Sequence, residues 1–345
     1  QRDMKQNKVC IISNEKISNS ANNFFCDNLD MKSTPEGLNT NFDIHILARN
    51  SSKARSHKIN IEKITLSKTF FGFIYSILKS FKQKETKYLI ISISPFTFFA
   101  SILLSLFRKK SMTYLRSDGY EEYKNILGFI GPITYHLMFS VVSKTSYLIG
   151  CNKKVLKGKE GKIIYPSQLT DKWFSNTSAA ELNKIKLLYI GRIKVEKGIY
   201  SLLKIIKDFK KDISLSIVGM EKEVNKTIKQ QNVNILEIET SQEKLIELYD
   251  NHNIFILPSF TEGHPMVLLE SLARSRPVII FEEISHVVGS KKGIFIAKRN
   301  SESLLEKIEY IESNYSKIQE DMKNNNLPLK KDFLKEFQNS ILNFN

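Results

Sequence analysis

The sequence predicts an α/β protein built from two successive βα arrays, the second of them clearly a parallel, doubly wound sheet. Three observations predict it. The chain has 345 residues, room for two domains of ordinary size that each bury a core of their own. Short apolar runs of strand length alternate with longer segments of helical periodicity along most of its length. Between the two series lies a polar stretch, Ser167 to Lys184, opened by Pro166, which marks the boundary.

In the first array, Lys8 to Ile12 is the expected first strand, and the polar, Asn-rich stretch Ser13 to Leu38 is expected to be a loop with room for one short helix. Strands follow at Phe42 to Leu47 and Ile59 to Thr65. From Lys53 to Lys110 there are twelve Lys and Arg against only Glu62 and Glu85. They are interleaved with Phe70, Phe71, Phe73, Ile74, Tyr75, Ile77, Leu78 and Phe81, the composition of an amphipathic membrane-surface helix. Tyr88 to Phe107 is twenty residues without a charge, long enough for a membrane span. Tyr88 to Ile93 is β-rich, however, Ser94-Pro95 is a turn and Thr97 to Leu106 an apolar helix, so the stretch reads as one buried βα unit. Ser111 to Leu115 is the next strand, ending in the polar turn Arg116 to Tyr123. Ile126 to Ser143 is uncharged and rich in aromatics, and two readings stand: core, or the lining of a greasy acceptor groove. His136 within it reads as a satisfied core residue. Ser146 to Ile149 and Lys162 to Tyr165 complete the first sheet.

The second array has expected strands at Ile185 to Ile190, Ile213 to Val218, Val233 to Ile238, Asn253 to Leu257 and Pro277 to Phe281, with helices between. Leu327 to Asn345 carries Phe333, Leu334, Phe337 and Ile341 at helical spacing.

The formal charge of +16, from 52 Lys and Arg against 36 Asp and Glu, points to an anionic partner. Charge alone would suit a nucleic-acid binder, but no RNA- or DNA-binding motif accompanies it, so no nucleic-acid partner is expected. Cys10, Cys26 and Cys151 are odd in number and far apart, without a CxxC pair or zinc-type His spacing, which suggests a reducing compartment and no structural metal. The apolar run Val9 to Ile12 is too short for a secretory signal, and Gln1 to Asp3 ahead of Met4 reads by position as an expression remnant.

The most informative stretch is Pro258-Ser-Phe-Thr-Glu-Gly-His-Pro-Met-Val-Leu-Leu-Glu270. Gly263 and Pro265 break the extended pattern, and a helix follows with Pro265 at its first position, where a missing N–H costs nothing. The free N–H groups of Met266, Val267 and Leu268, with the helix dipole, suit a phosphate or diphosphate. Gly263 and His264 lie on the approach to it. Glu262 precedes the helix, and Glu270 lies more than one turn inside it among Leu268, Leu269 and Leu272. A nucleoside diphosphate with a sugar attached fits this: Glu270 to a ribose diol, the helix N-terminus to the diphosphate, Glu262 to the sugar. Upstream, Tyr189-Ile-Gly-Arg-Ile-Lys-Val-Glu-Lys-Gly198 ends a strand at Gly191, where a phosphate can approach the backbone, and puts Arg192 and Lys197 on the loop beyond.

Together these stretches resemble the retaining glycosyltransferases of family 4, whose signature is an acidic residue, seven intervening residues and a Glu, here Glu262 and Glu270. The resemblance implies the GT-B fold, two facing Rossmann-like domains: an acceptor-side domain over 1–166, a nucleotide-sugar-binding domain over 167–326, and a C-terminal helix, 327–345, crossing back onto the first. It implies transfer of a hexosyl or N-acetylhexosaminyl group, with retention, from a nucleotide sugar, UDP-sugars favoured. The acceptor is a hydroxyl of a glycan or lipid-linked molecule of bacterial lipopolysaccharide or capsule. Arg192 and Lys197 correspond to the family's diphosphate cations, so no metal is required, and no Asp-x-Asp near a strand end calls for one. Glu262 is either a transient nucleophile or a holder of a sugar hydroxyl. Asp118 is the nearest equivalent of a sugar-contacting His of the family, or else a helix cap. The family's Gly-rich turn after the first strand is replaced by Asn14, Ser18, Asn19 and Ser20. Domain closure over the donor makes Ser167 to Lys184 an expected hinge. The charge places the enzyme at the cytoplasmic face of the membrane, held peripherally on anionic lipid. A glycosidase and a non-enzymatic nucleotide- or anion-binding protein are the alternatives, although Glu262 and Glu270 do not obviously flank one bond.

Overall fold

The alternating pattern resolves, in a computed structural model that describes residues 7–83, 86–219, 228, 230–237, 239 and 241–344, into two sheets in two units, the first mostly and the second wholly parallel. Unit 1 comprises Gln1–Gln168 and Lys330–Asn345, and unit 2 Leu169–Leu329.

Unit 1 begins with β1 (Lys8–Ser20), β2 (Asn23–Cys26), α1 (Leu29–Leu38), β3 (Asp43–Asn50), β4 (His57–Ile59) and β5 (Lys63–Ser67). It continues through α2 (Phe70–Ser80), β6 (Thr86–Ile91), α3 (Pro95–Leu106), β7 (Ser111–Leu115), α4 (Gly119–Leu127), α5 (Gly131–Thr145), β8 (Tyr147–Gly150) and β9 (Lys162–Ile163). The parallel strands lie in the order β5-β3-β1-β6-β7-β8-β9, with β1 central because both its faces are covered, and Val9 to Ile12 are almost fully buried.

Unit 2 contains β10 (Ile185–Ile190), α6 (Ile199–Lys207), β11 (Ile213–Val218), β12 (Val233–Leu236), α7 (Gln242–Asp250) and β13 (Ile254–Leu257). Then come α8 (Met266–Ala273), β14 (Val278–Phe281), β15 (Ile294–Ala297), α9 (Ser301–Ser313) and α10 (Tyr315–Met322). Its sheet has the order β12-β11-β10-β13-β14-β15, all parallel. The last helix, α11 (Lys330–Leu342), returns to unit 1, where Phe333, Phe337 and Ile341 join the apolar cluster of Val9, Ile11 and Ile46. Lys87 donates to the carbonyls of Ile341 and Leu342, a cation at the negative end of the helix.

Several expectations are corrected. Ser13 to Leu38 is not a loop: β1 runs on to Ser20 and turns back through Ala21 and Asn22, both at positive φ, into antiparallel β2, which pairs with β4. Two consecutive left-handed residues match the hairpin twist, and Asn28 then caps α1. The single strand expected over Ile59 to Thr65 is split between β4 and β5. The basic amphipathic helix is narrower than its composition suggested, because α2 carries only Lys79, and Phe73 and Ile77 are core residues. Of the neighbouring cations, Lys58, Lys63 and Lys87 lie in β4, β5 and β6, and Lys53, Arg55, Lys68, Lys82 and Arg108 to Lys110 in turns and loops. Ser94 and Thr97 form a capping box that starts α3 at Pro95, so Tyr88 to Phe107 is a strand and a helix. β15 had not been expected. Ile238, Lys84, Glu85, Asn345 and Gln1 to Met4 lie outside the described residues.

The stretch Ser167 to Lys184 is not a free linker. Leu169 and Trp173 are buried in the core of unit 2. Arg274 and Arg276, both almost wholly buried, hold the carbonyls of Trp173, Ser175, Asn176 and Ser178. The chain passes between the units at Gln168/Leu169 and Leu329/Lys330.

Candidate functional site

In the unit 2 sheet the strand order reverses between β10 and β13, and the loops following both strands leave the same carboxyl edge. Such a switch point is the general ligand crevice of open α/β sheets. Both stretches singled out from the sequence lie there.

The two loops are fastened to each other. The Phe260 N–H donates to the Glu196 carbonyl at 2.8 Å, and Lys197 Nζ lies 2.6 Å from Glu262 Oε1. Gly198 sits at φ +69°, and a Cβ there would stand 1.9 Å from the Pro258 oxygen, so only glycine permits the approach. Arg299 braces the far side. It donates to the Pro258 oxygen at 2.9 Å and to Glu283 at 2.7 Å, and its guanidinium lies over the Phe260 and Phe281 rings.

Glu262 is a held carboxylate. Its Oε1 accepts the Ser259 hydroxyl at 2.6 Å as well as Lys197, and its carbonyl accepts from His286 Nε2, which must carry the proton. Arg192, one residue past Gly191, is exposed and has no side-chain partner among the described residues. Its carbonyl is fixed by the Tyr189 hydroxyl at 2.9 Å.

Pro265 is the N-cap of α8 and not, as expected, its first helical residue, and it makes no side-chain cap. The first-turn N–H groups of Met266, Val267 and Leu268 therefore lack a capping side chain, with Gly263 and His264 on the approach. Glu270 lies on the second turn and is 7 % exposed. Its Oε2 accepts the Tyr249 hydroxyl at 2.8 Å, which also faces the Val267 carbonyl at 3.1 Å. Burial pushes the Glu270 carboxyl up to about 7, only partly offset by the Tyr249 hydrogen bond. Oε1 makes no hydrogen bond among the described residues and remains an acceptor.

Asp118 belongs to unit 1. It is buried, accepts from the Tyr120 N–H as the cap of α4, and pairs with Lys157 at 2.6 Å and Lys154 at 3.8 Å. Its carboxylate is thus occupied by structural partners. His136 is not a core residue: it is exposed, with Nδ1 2.8 Å from the Tyr120 hydroxyl. At the carboxyl ends of β1 and β3, Ser18, Asn19, Ser51, Lys53, Arg55 and Phe25 line a cavity of about 370 Å³. Sequence reasoning missed Tyr249, Ser259 and Arg299 as parts of the site. Only Ser259 had a signal, its place three residues before Glu262.

Residues 171–327 match the family described as glycosyl transferases group 1. Among solved structures, the chain is similar to sucrose-phosphate synthase from Thermosynechococcus elongatus, with 14% identity over 97% of this chain and 98% of that one and a TM-score of 0.70. It is similar to HepE from Anabaena in complex with UDP and glucose, with 11% identity over 98% and 100% and a TM-score of 0.71. A third likeness is to WaaG, a glycosyltransferase involved in lipopolysaccharide biosynthesis, with 12% identity over 97% and 100% and a TM-score of 0.70. Identities this low carry the fold alone, and the fold is α/β of the GT-B type. Curated protein sequences give no match.

Proposed function

We propose that this chain, whose residues 171–327 match the family described as glycosyl transferases group 1, moves a hexosyl or N-acetylhexosaminyl group from a nucleotide sugar to an acceptor hydroxyl with retention at the anomeric carbon. The observation that carries the reading is the junction at the unit 2 switch point, where Lys197 meets Glu262 at 2.6 Å beside the uncapped start of α8. The donor diphosphate lies on the N–H groups of Met266 to Leu268, near the backbone of Gly191 and Gly263, with His264 alongside. Arg192 and Lys197 neutralise it as the sugar bond breaks. Glu270 Oε1 takes the ribose diol. Glu262 orients a sugar hydroxyl, and a donor phosphate oxygen takes the acceptor's proton. No metal is needed, because these cations and amides meet the leaving charge.

The UDP and glucose of the HepE complex support a UDP-sugar donor, and the role of WaaG supports an acceptor of bacterial lipopolysaccharide or capsule, glycan or lipid-linked. Asp118 belongs to the acceptor side as the positioning residue of the turn after β7. The enzyme works at the cytoplasmic face of the membrane, bound peripherally to anionic lipid and not to nucleic acid. A thermal-shift screen of nucleoside diphosphates and nucleotide sugars tests the donor, since a ligand at 100 times its Kd stabilises by about 2.7 kcal/mol. NMR of the product made from the selected donor then reads the anomeric configuration. No shift with any nucleotide would overturn the reading.

A further inference from the structure

A second place built for a ligand lies in unit 1, where the β1–β2 hairpin leaves the sheet. Directly opposed residues of antiparallel strands point to the same face. Phe24 stands opposite Ile59 and packs on the apolar cluster of unit 1, which makes that face the inner one. Phe25 stands opposite Ser18 in β1 and Lys58 in β4, so these three share the outer face. There the half-buried Phe25 ring lines the cavity of about 370 Å³, together with Ser18, Asn19 and Ser20 of the hairpin and the loop from Ser51 to Arg55 that follows β3. The volume is within the range of small-molecule sites, about 300–1,000 Å³.

The wall of this cavity is fastened by its own hydrogen bonds. Ser51 Oγ donates to the Lys53 carbonyl at 2.9 Å and accepts from the Lys53 N–H at 3.2 Å and from Arg55 Nε at 3.0 Å. The Arg55 N–H donates to Ser18 Oγ at 3.2 Å, and the Arg55 guanidinium pairs with Asp27, which also accepts the Ser56 N–H at 3.0 Å. Ser18 and Ser51 are each only 8 % exposed. Ser18 accepts in this arrangement, and its own proton has no acceptor among the described residues. The side chains of Asn19, Ser20 and Ser52 and the Lys53 ammonium are likewise without partners among the described residues. No acidic residue lines the cavity, and Asp27 is already neutralised by Arg55.

An aromatic face, several groups that both donate and accept, and a cation without a counter-ion fit a sugar ring that bears a carboxylate or phosphate. The C–H face of the ring packs on Phe25, its hydroxyls exchange hydrogen bonds with Ser18, Asn19, Ser20 and Ser52, and its anionic group meets Lys53. A bare phosphate would leave the ring and the amide unused. Because the loop is already fixed, little ordering is lost on binding.

We propose that the hairpin cavity is a glycan subsite that takes an acidic sugar. This rests on the transfer reading above at one point only, that the sugar bound here belongs to the acceptor, which it narrows to a glycan carrying a uronate or a sugar phosphate.

The test is saturation-transfer NMR on the full chain with glucuronate, glucose 6-phosphate and glucose, with inorganic phosphate as competitor. Both acidic sugars are expected to bind, the tighter one showing which acid the site takes, and glucose to bind about two- to fivefold more weakly, the worth of one exposed charge pair. Lys53→Ala is expected to erase that difference. Phe25→Ala is expected to weaken all three sugars, by up to about tenfold. Asn19→Ala with Ser52→Ala, at exposed positions that leave the fold intact, is expected to weaken all three as well, and it decides the point if Phe25→Ala does not fold. Equal binding of glucose would overturn the acidic class. Binding that neither Lys53→Ala nor the double variant alters would put the sugar elsewhere and overturn the site. Inorganic phosphate that displaces glucuronate at matching affinity would reduce it to an anion site and overturn the glycan. If no sugar binds, the proposal falls whatever the nucleotides do in the thermal-shift screen, whereas acidic sugars that bind without any nucleotide shift would overturn the donor reading and leave this site standing.

Discussion

Lys197 and Glu262 come from loops 65 residues apart in the chain, and their side chains meet at 2.6 Å on a carboxylate oxygen that also accepts the Ser259 hydroxyl. The pair holds a cation at the switch point before any diphosphate arrives. In the proposed transfer, charge grows on the diphosphate as the sugar leaves, so this cation should count for more in the transition state than in the bound donor. Lys197→Ala should lower kcat at saturating donor by about 10- to 150-fold, the loss of one charge-assisted contact, with a smaller change in donor affinity. Steady-state kinetics check it. A raised KM with kcat intact would remove Lys197 from catalysis.

Glu270 gives a binding prediction. Glu270→Ala should weaken nucleoside diphosphate binding and raise the donor KM, whereas Glu270→Gln should keep part of the affinity through its amide oxygen. Calorimetric titration of both variants decides it, and an unchanged Kd in the Ala variant would break the link to the ribose.

The same residue makes stability depend on pH. Its carboxyl titrates near 7 in the folded protein against 4.5 in the unfolded chain. Between these values the folded protein keeps a proton that the unfolded chain has released, so its contribution is full below about pH 4.5 and lost as pH rises through 7. The loss is at most ~3 kcal/mol. Urea unfolding at pH 5 and pH 8 should show a smaller difference in Glu270→Gln than in the wild type. Ribose hydroxyls favour the carboxylate, so wild-type nucleotide affinity should rise over the same interval.

Gly198→Ala tests the junction of the two loops. The new methyl would need both a left-handed backbone and room at the Pro258 oxygen, and should cost roughly 2 kcal/mol or more. A lowered Tm with weakened nucleotide binding is expected, and a Tm equal to that of the wild type would show that the loops separate freely.

Arg274→Ala should destabilise unit 2 by about 3 to 5 kcal/mol, since it strips a buried cation from Asp250 and leaves the carbonyls of Trp173, Ser175 and Asn176 without their donor. Chemical denaturation followed through Trp173 fluorescence reads the effect.

Where a strand is a continuous apolar run bounded by polar turns, the sequence is sufficient: Ser111 to Leu115 and Ile185 to Ile190 are the bounds of β7 and β10. The β1–β2 hairpin was illegible because its turn is Ala21-Asn22, without the glycine that usually supplies positive φ, and its strands are polar where they leave the sheet. Ser167 to Lys184 looked like a linker because what fixes it is carbonyl oxygens, which every residue has, reaching two arginines about a hundred positions away. In the site, Glu262, Glu270 and Lys197 were legible as a local pattern. Tyr249 and Arg299 were not, since nothing near them in sequence says that a helix and a late loop return to the same edge.

α11 is made after all of unit 2, yet its Phe333, Phe337 and Ile341 complete the apolar cluster of unit 1. During synthesis, the first sheet to leave the ribosome therefore waits unfinished while the second, contiguous in the chain, is translated and has its whole core available. The usual order, in which the N-terminal part matures first, is inverted. Until the 161 residues of unit 2, Leu169–Leu329, have been translated, the apolar cluster around Val9, Ile11 and Ile46 lacks the side chains of α11.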